Sequence, residues 1–258
     1  MVTIEESKVN NKTDVKDVPV IQIRNLNKSF GDNHVLRDFN IDLYKGENLA
    51  VVGKSGSGKS VLIKCIIGLM KPDSGTIFMF EKNIPDLDHA GLDDIRAKAG
   101  FLFQSNALYD SMTVRENLEF PLRRHRFGVK AEKVNGLVME ALTNVGLSET
   151  VDMMPAELSG GMRKRIALAR TLILKPQIIF YDEPTTGLDP ITGKEISNLI
   201  LKIQKLYQTS SIIISHDMSC IKITSNRVAL LIDGTCYAEG TYEKLKKSDD
   251  KKINQFYE

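Results

Sequence analysis

Nowhere does the 258-residue chain hold an apolar run near the roughly 18 residues that cross a bilayer. Its strongest runs, Val228–Ile232 and Ile212–Ile214, are short and bounded by polar residues. Met1–Asp17 carries both charge signs and no apolar h-region, so no signal peptide is expected. The cysteines, Cys65, Cys220 and Cys236, are odd in number and lack metal-ligand spacing, which favours a reducing compartment, the cytosol. An excess of one charge sign is also missing. With 35 basic residues against 33 acidic ones, the net +2 gives no dedicated nucleic-acid footprint. Internal repeats and low-complexity tracts are absent. Any membrane role must come through a partner.

What is present is globular: 42% hydrophobic and 26% charged residues, in a chain long enough for a sizeable core. Residues 1–18 read as a flexible polar leader, and order is expected from Val20, where Val20–Ile23 alternates like a strand. Ile41–Tyr44 alternates again, and Asn48–Val52 reads as a buried strand entering a Gly/Ser-rich loop. Further buried strands are expected at Gln177–Tyr181, Ser211–Ile214 and Val228–Ile232. Helical spacing runs from about Thr113 to Leu174, with Val134–Val145 closed by Gly146, and returns at Ile196–Leu206. The expectation is an α/β fold over residues 19–240, a mixed or parallel sheet core with a helical subdomain inserted over about 105–175. Residues 241–258 form a charged tail.

Gly53-Lys54-Ser55-Gly56-Ser57-Gly58-Lys59-Ser60 fits the P-loop pattern, with a strand before it and an apolar helix, Val61–Met70, expected after it. Its glycines let backbone N–H groups turn inward to cradle phosphate oxygens. A helix N-terminus contributes only about 0.3–2 kcal/mol toward an anion. Lys59 must therefore bring a full charge, and the Ser60 hydroxyl is the expected Mg²⁺ ligand. Ile178–Tyr181 delivers Asp182 and Glu183 at a strand end, the Walker B pattern. Alone, such a pair is equally a solvated turn. Beside a P-loop, Asp182 suits the Mg²⁺ shell and Glu183 the attacking water. Leu158-Ser159-Gly160-Gly161-Met162 repeats the device, a hydroxyl and bare backbone donors at a helix start. The cluster Arg163-Lys164-Arg165 reads as helix surface and interface charge.

In this order, from Val20 to about Gly240, these elements resemble the ATP-binding cassette (ABC) family. The resemblance implies ATP and Mg²⁺ as cofactors, with Phe30 stacking on adenine and Gly53, Ser55, Gly56, Ser57, Gly58, Lys59, Ser60 and Val61 around the phosphates. It makes Gln104 the Q-loop residue, near both metal and γ-phosphate, Leu188-Asp189 the D-loop and His216 the switch histidine. Ser159, Gly160, Gly161 and Asp189 would meet the nucleotide of a second copy, so two chains sandwich two ATP molecules. Met162 departs from the family's usual glutamine, which puts that side chain's role in doubt but spares the Ser159–Gly161 backbone.

The run Phe103–Asn117, with Ser60–Lys64 and Thr186–Thr192, is similar to the Mla/Mce branch of the family. That likeness implies phospholipid movement between the two membranes of a double-membraned bacterium, from the cytoplasmic face of the inner membrane. It implies a MlaE-like permease, an MCE-domain lipid-binding protein, sometimes a small STAS-domain protein, and no nucleic acid. The alternative is a cassette for another cargo, such as amino acids or lipoproteins. A DNA-repair ATPase would need a long coiled coil, and no sustained heptads occur. Ala107, Leu108, Tyr109, Met112 and Val114 mark a candidate permease groove within Gln104–Glu116. In the tail, Ile253, Phe256 and Tyr257 are expected to pack on the other copy.

Overall fold

The first ordered stretch folds back on itself because its apolar residues alternate on both arms. In β1 (Pro19–Phe30) Ile21, Ile23 and Leu26 are buried, and in β2 (Asn33–Tyr44) Leu36, Phe39, Ile41 and Leu43 are. The phase slips between Ile23 and Leu26, where Asn25 takes a left-handed backbone (φ 49°) in a register shift. Strict alternation therefore stops at Ile23, although the strand continues to Phe30. This computed structural model describes residues 18–125 and 130–257. The expected leader thus lies, Val18 apart, outside the described residues.

Along the chain follow β3 (Asn48–Val52), α1 (Lys59–Ile66), β4 (Ser74–Met79), β5 (Lys82–Asn83), α2 (His89–Ala97) and β6 (Ala99–Leu102). Then come α3 (Val114–His125), α4 (Ala131–Val145), α5 (Gly160–Leu172), β7 (Ile178–Asp182), α6 (Pro190–Tyr207) and β8 (Ser210–Ile214). The chain closes with α7 (Met218–Thr224), β9 (Arg227–Ile232), β10 (Thr235–Gly240), α8 (Tyr242–Lys246) and α9 (Lys251–Asn254). Helix α1 ends earlier than its apolar run suggests, because Gly68 turns the chain at φ 68°. Gly146 caps α4 in the left-handed conformation, as its position predicts.

One sheet is antiparallel, in the order β2-β1-β4-β5; the other runs β10-β9-β3-β8-β7-β6, parallel except for β10 at its edge. Both faces of the parallel strands are covered. Leu49, Val51, Phe180, Ile212 and Leu231 pack toward α1 and the antiparallel sheet. Ile179, Tyr181 and Ile213 pack on Leu168, Ile196 and Ile200 of α5 and α6. Each such buried Leu or Ile contributes about 1.5–3 kcal/mol relative to exposure. The loops leaving β3, β8, β7 and β6 emerge side by side at the carboxyl edge of the sheet, where such sheets bind ligands.

For Ile253 the tail departs from the sequence-based expectation. Ile253 is buried in its own chain with Leu245, Val52, Ile221 and Leu230, and Tyr257 meets Tyr242 edge-on at 5.2 Å. The short helices α8 and α9 give these residues an apolar floor in cis.

A second departure concerns the segment after β6. Val114 and Leu118 are buried in the core of α3–α5, so Val114 offers no docking surface, and Leu108 is half-buried against that core. The loop between Tyr109 and Thr113 is pinned by Asn117, which is fully buried. Its Oδ1 accepts from the Tyr109 N–H at 2.8 Å, and its Nδ2 faces the Tyr109, Met112 and Thr113 carbonyls, each at 3.0 Å. An amide has two N–H donors, so at most two of those three bonds form at once. Asn117→Ala leaves several partly buried backbone groups without their partner. It is expected to lower the unfolding free energy by about 2–4 kcal/mol in urea titrations.

Candidate functional site

The strand β3 is buried throughout, and its end delivers the glycine loop under constraint. A Cβ on Gly53 would lie 2.4 Å from Ser57 Oγ and 2.7 Å from the Leu231 carbonyl. Gly58, at φ 103°, precedes the first turn of α1. No acidic residue occupies the first turn of α1, so its positive end faces the loop uncompensated. Lys59 Nζ donates to the Gly53 and Lys54 carbonyls at 2.7 and 3.0 Å. Burial pushes the Lys59 ammonium below the ordinary lysine value, and the charges of Glu183 and Asp182 hold it up. Ser57 Oγ is buried and has no protein partner. A buried hydroxyl without a partner, a lysine and an uncapped helix start together form a cradle that suits phosphate. Ser60 is exposed at the mouth, and Val61 is partly buried against the core beneath.

Beside the loop lies a cavity of about 700 Å³, with Lys54, Ser55, Gly56 and Ser57 on one wall and Val35 and Gln255 on others. Lys54 Nζ donates to Gln255 Oε1 at 3.0 Å, so the tail reaches the rim of the loop. Phe30 ends β1 with its ring half-exposed and Lys28 Nζ 5.5 Å from the ring centroid. It stands outside the cavity lining, at the hairpin whose next strand supplies Asn33, His34 and Val35 to the wall.

Two strands away, β7 ends in Asp182 and Glu183. Burial, then the neighbouring Glu183, pushes the Asp182 carboxyl above its usual range, against the pull of Lys59, Lys164 and Lys64. Such a pair of carboxylates at a strand end has the donor chemistry that a divalent cation satisfies. Glu183 sits at φ 49°, a left-handed backbone costing about 1–2 kcal/mol in a non-glycine residue. Its N–H bonds the Ile214 carbonyl at 2.9 Å, and its carboxylate accepts from Thr186 Oγ1 at 3.0 Å. His216, following β8, places Nδ1 2.8 Å from Glu183 Oε2. Parallel pairing of β7 with β8 thus brings together an acid and a histidine 33 positions apart. Backbone strain of this kind clusters at functional sites.

The motif Ser159-Gly160-Gly161 opens a different helix, α5. Ser159 caps α5, accepting from the Met162 N–H at 3.2 Å, and α5 also lacks an acid in its first turn. That bond uses the backbone of Met162, so the residue's unusual side chain leaves the cap intact. A Cβ on Gly161 would meet Thr192 at 2.7 Å, so this motif abuts the start of α6. Asp189 caps α6 through the Ile191 and Thr192 N–H groups and takes the Thr192 hydroxyl, which holds its carboxyl below the usual range. Its oxygens are therefore occupied by the helix they cap. The Gln104 side chain is exposed, while its carbonyl accepts from Lys164 Nζ at 3.0 Å.

Lys164 corrects the surface reading of its cluster: only 2% of it is exposed. The signal was available, because Lys164 lies three and four residues before Ala167 and Leu168 on the buried face of α5. Thr186, the partner of Glu183, carries no comparable signal, since its loop geometry is set by the tertiary fold.

Gly53→Ala tests the cradle. The added methyl must displace Ser57 or the Leu231 backbone, so binding of a fluorescent ATP analogue is expected to weaken by at least about 100-fold, the effect of losing several charge-assisted bonds. Wild-type affinity in this variant would show that the loop is not the phosphate cradle.

Comparison with known proteins adds independent findings. The ABC transporter family model matches residues 36–186, more than half of the chain. A probable ribonucleotide transport ATP-binding protein, mkl, of Mycobacterium leprae is 38% identical over 92% of this chain and 68% of its own length. The intermembrane phospholipid transport ATP-binding protein MlaF of Haemophilus influenzae is 36% identical over 92% of this chain and 89% of its own. The methionine import ATP-binding protein MetN of Clostridioides difficile is 36% identical over 88% and 70%. Among solved structures, the dimeric ATP-binding cassette MJ0796 in a post-hydrolysis state with ADP and phosphate superposes with a TM-score of 0.77. It has 31% identity and covers 86% of this chain and 98% of that one. A cradle, a strained acid and a histidine on adjacent strands are thus found in a chain that belongs to the ABC transporter family, as an ATP-hydrolysing cassette.

Proposed function

We propose that this cassette drives a phospholipid-transport permease from the cytoplasmic face of an inner membrane, working as a homodimer. The observation that carries this reading is the likeness to MlaF, which extends over 89% of that protein's length, whereas MetN of equal identity is spanned over 70%. The Mla/Mce-like run Phe103–Asn117 supports the same reading. Among the described residues no helix is long and apolar enough to cross a membrane, so a permease must supply the path.

ATP would lie with its triphosphate on the Gly53–Ser60 loop, Lys59 turning from the loop carbonyls to the β and γ oxygens, and its base toward Phe30 and Val35. Ser60 and Asp182 would hold Mg²⁺ with Gln104 beside them, and the ion would neutralise charge on the terminal phosphates. Glu183 orients the attacking water and accepts its proton, while His216 keeps the carboxylate oriented and reaches toward the γ-phosphate. Ser159, Gly160 and Gly161 of one copy would close over the γ-phosphate of the other, because α1 and α5 each begin with a glycine motif and no acid in the first turn. Closure then depends on ATP and reverses after hydrolysis. An MCE-domain protein and a STAS-domain protein complete the assembly in this reading.

The exposed aromatics Phe103, Tyr109 and Phe120, with Tyr109 and Phe120 rings 4.8 Å apart, offer the permease an apolar seat beside Gln104. Lys59→Ala is expected to weaken ATP binding at least about 100-fold. Glu183→Gln is expected to keep binding and slow hydrolysis by about 10²–10⁴-fold. Reconstituted with its permease in phospholipid vesicles, the wild type should move lipid on ATP addition, and Tyr109→Asp should lose assembly while still binding ATP. ATP-driven uptake of methionine or a ribonucleotide, with lipid left in place, would sink the phospholipid reading.

A further inference from the structure

Among the described residues, Lys164 is the one charged side chain that is buried. It sits five residues into the helix capped by Ser159, about 7–8 Å along the axis from that cap. Its ammonium donates to the carbonyl of Gln104, and the charges acting on it are Asp182 and Glu183. Farther along the same helix, Thr171 Oγ1 donates to the Phe101 carbonyl at 3.1 Å. Arg170 donates to the Asn106 and Ala107 carbonyls at 3.1 and 2.6 Å. Asn106 and Ala107 both have left-handed backbones, φ 63° and 50°, so this segment does not hold its shape by local preference. Gly100 allows β6 to press on α5, since a Cβ there would meet Thr171 at 2.6 Å. One end of α5 is thereby fixed to the sheet, while Lys164 bridges from the helix to the loop that carries Gln104.

We propose that Lys164 is a positioning residue for ATP hydrolysis: its buried ammonium ties the helix that begins at Ser159 to Gln104 and so sets that side chain against the Asp182–Glu183 pair. Burial disfavours the charge on Lys164; the Gln104 carbonyl, which accepts from it at 3.0 Å, and the charges of Asp182 and Glu183 offset that cost. When the Ser159 end of α5 is drawn onto a nucleotide, the Gln104 backbone moves with it. The loop between Gln104 and Tyr109 then moves in step, so nucleotide contact at one end of the helix is coupled to the permease seat beside the other. This rests on the placement of Gln104 beside the Mg²⁺ position in the proposed function.

The test compares Lys164→Met, which fills similar volume without a donor, with Lys164→Arg, which keeps one. For Lys164→Met, kcat is expected to fall at least about tenfold, the loss of one bond from a charged donor. KM and the Kd for a fluorescent ATP analogue should stay within about threefold, because the Gly53–Ser60 cradle is untouched. Amide exchange across Ser105–Leu108 should quicken by about tenfold, and Lys164→Arg should restore both readouts. Wild-type kcat and exchange in Lys164→Met would overturn the proposal. So would a joint fall in melting temperature and ATP affinity with kcat unchanged, the mark of a purely structural lysine. Should Lys164→Met not fold, Lys164→Gln, whose amide falls short of the carbonyl, replaces it, and wild-type kcat in that variant also overturns the proposal. Changed kcat and exchange in a chain that moves no lipid with its permease would leave Lys164 its role and end the phospholipid reading. Wild-type transport with kcat and exchange unchanged would end only the role of Lys164.

Discussion

Parallel pairing of β8 between β3 and β7 is the constraint on which the rest depends. It places the Gly53–Ser60 loop, His216 and the Asp182–Glu183 pair at one edge, although 163 residues separate Gly53 from His216 along the chain. A slip of one residue in either pairing would turn alternate side chains to the other face and misalign these loops. The register is locked at the opposite end by a buried polar knot. Ser211 donates to Asn48, whose amide bonds the Thr224 carbonyl at 2.9 Å and whose N–H bonds Asn226 at 2.8 Å. Every group in that knot is satisfied, so it selects one pairing without leaving a buried donor stranded.

The charge distribution follows from this arrangement. Two carboxylates come to a half-buried strand end, and the charges of lysines on two helices act on it: Lys59 and Lys64 of α1 and Lys164 of α5. Burial disfavours the charged forms of Asp182, Lys59 and Lys164, and their opposite charges act against it. The backbone strain at Glu183 has the same origin, because its N–H is committed to Ile214 while its side chain must meet His216. Elsewhere, charge organises the joints between layers. Arg227 at the start of β9 holds Glu47 at 2.7 Å, Glu239 at 2.7 Å and the Asp42 carbonyl, tying the parallel sheet to the antiparallel one.

Position along α5 explains why its residues divide so sharply in role. Its N-terminus is exposed and free of acids, as an anion site requires. Its middle is buried among strands and helices, where Ile166, Ala167, Leu168 and Ala169 fill the core. Lys164, Arg170 and Thr171 leave this helix to meet carbonyls of β6 and the loop beyond it. One helix therefore joins the Ser159 cap, the sheet edge and the loop after β6.

The sequence alone determined the parts whose physics is local. The P-loop is legible because glycines, lysine and serine must be contiguous to wrap a phosphate, and the buried strands β3, β7, β8 and β9 because both-face burial demands unbroken apolar runs. Gly146 announces the end of α4 for a similar reason, since few other residues tolerate its backbone. Tertiary structure decided what those rules do not reach. The strands β4, β5, β6 and β10 are short or half-exposed and carry no strong pattern; pairing with neighbours makes them strands. Packing of α3 to α5 drew Val114 and Leu108 inward and left Phe103, Tyr109 and Phe120 outside, which composition does not distinguish. The tail found its floor on its own chain. Lys164 was buried because a helix turns about 100° per residue, and the carboxylates that make such burial tolerable arrive from a strand 18 residues later in the chain.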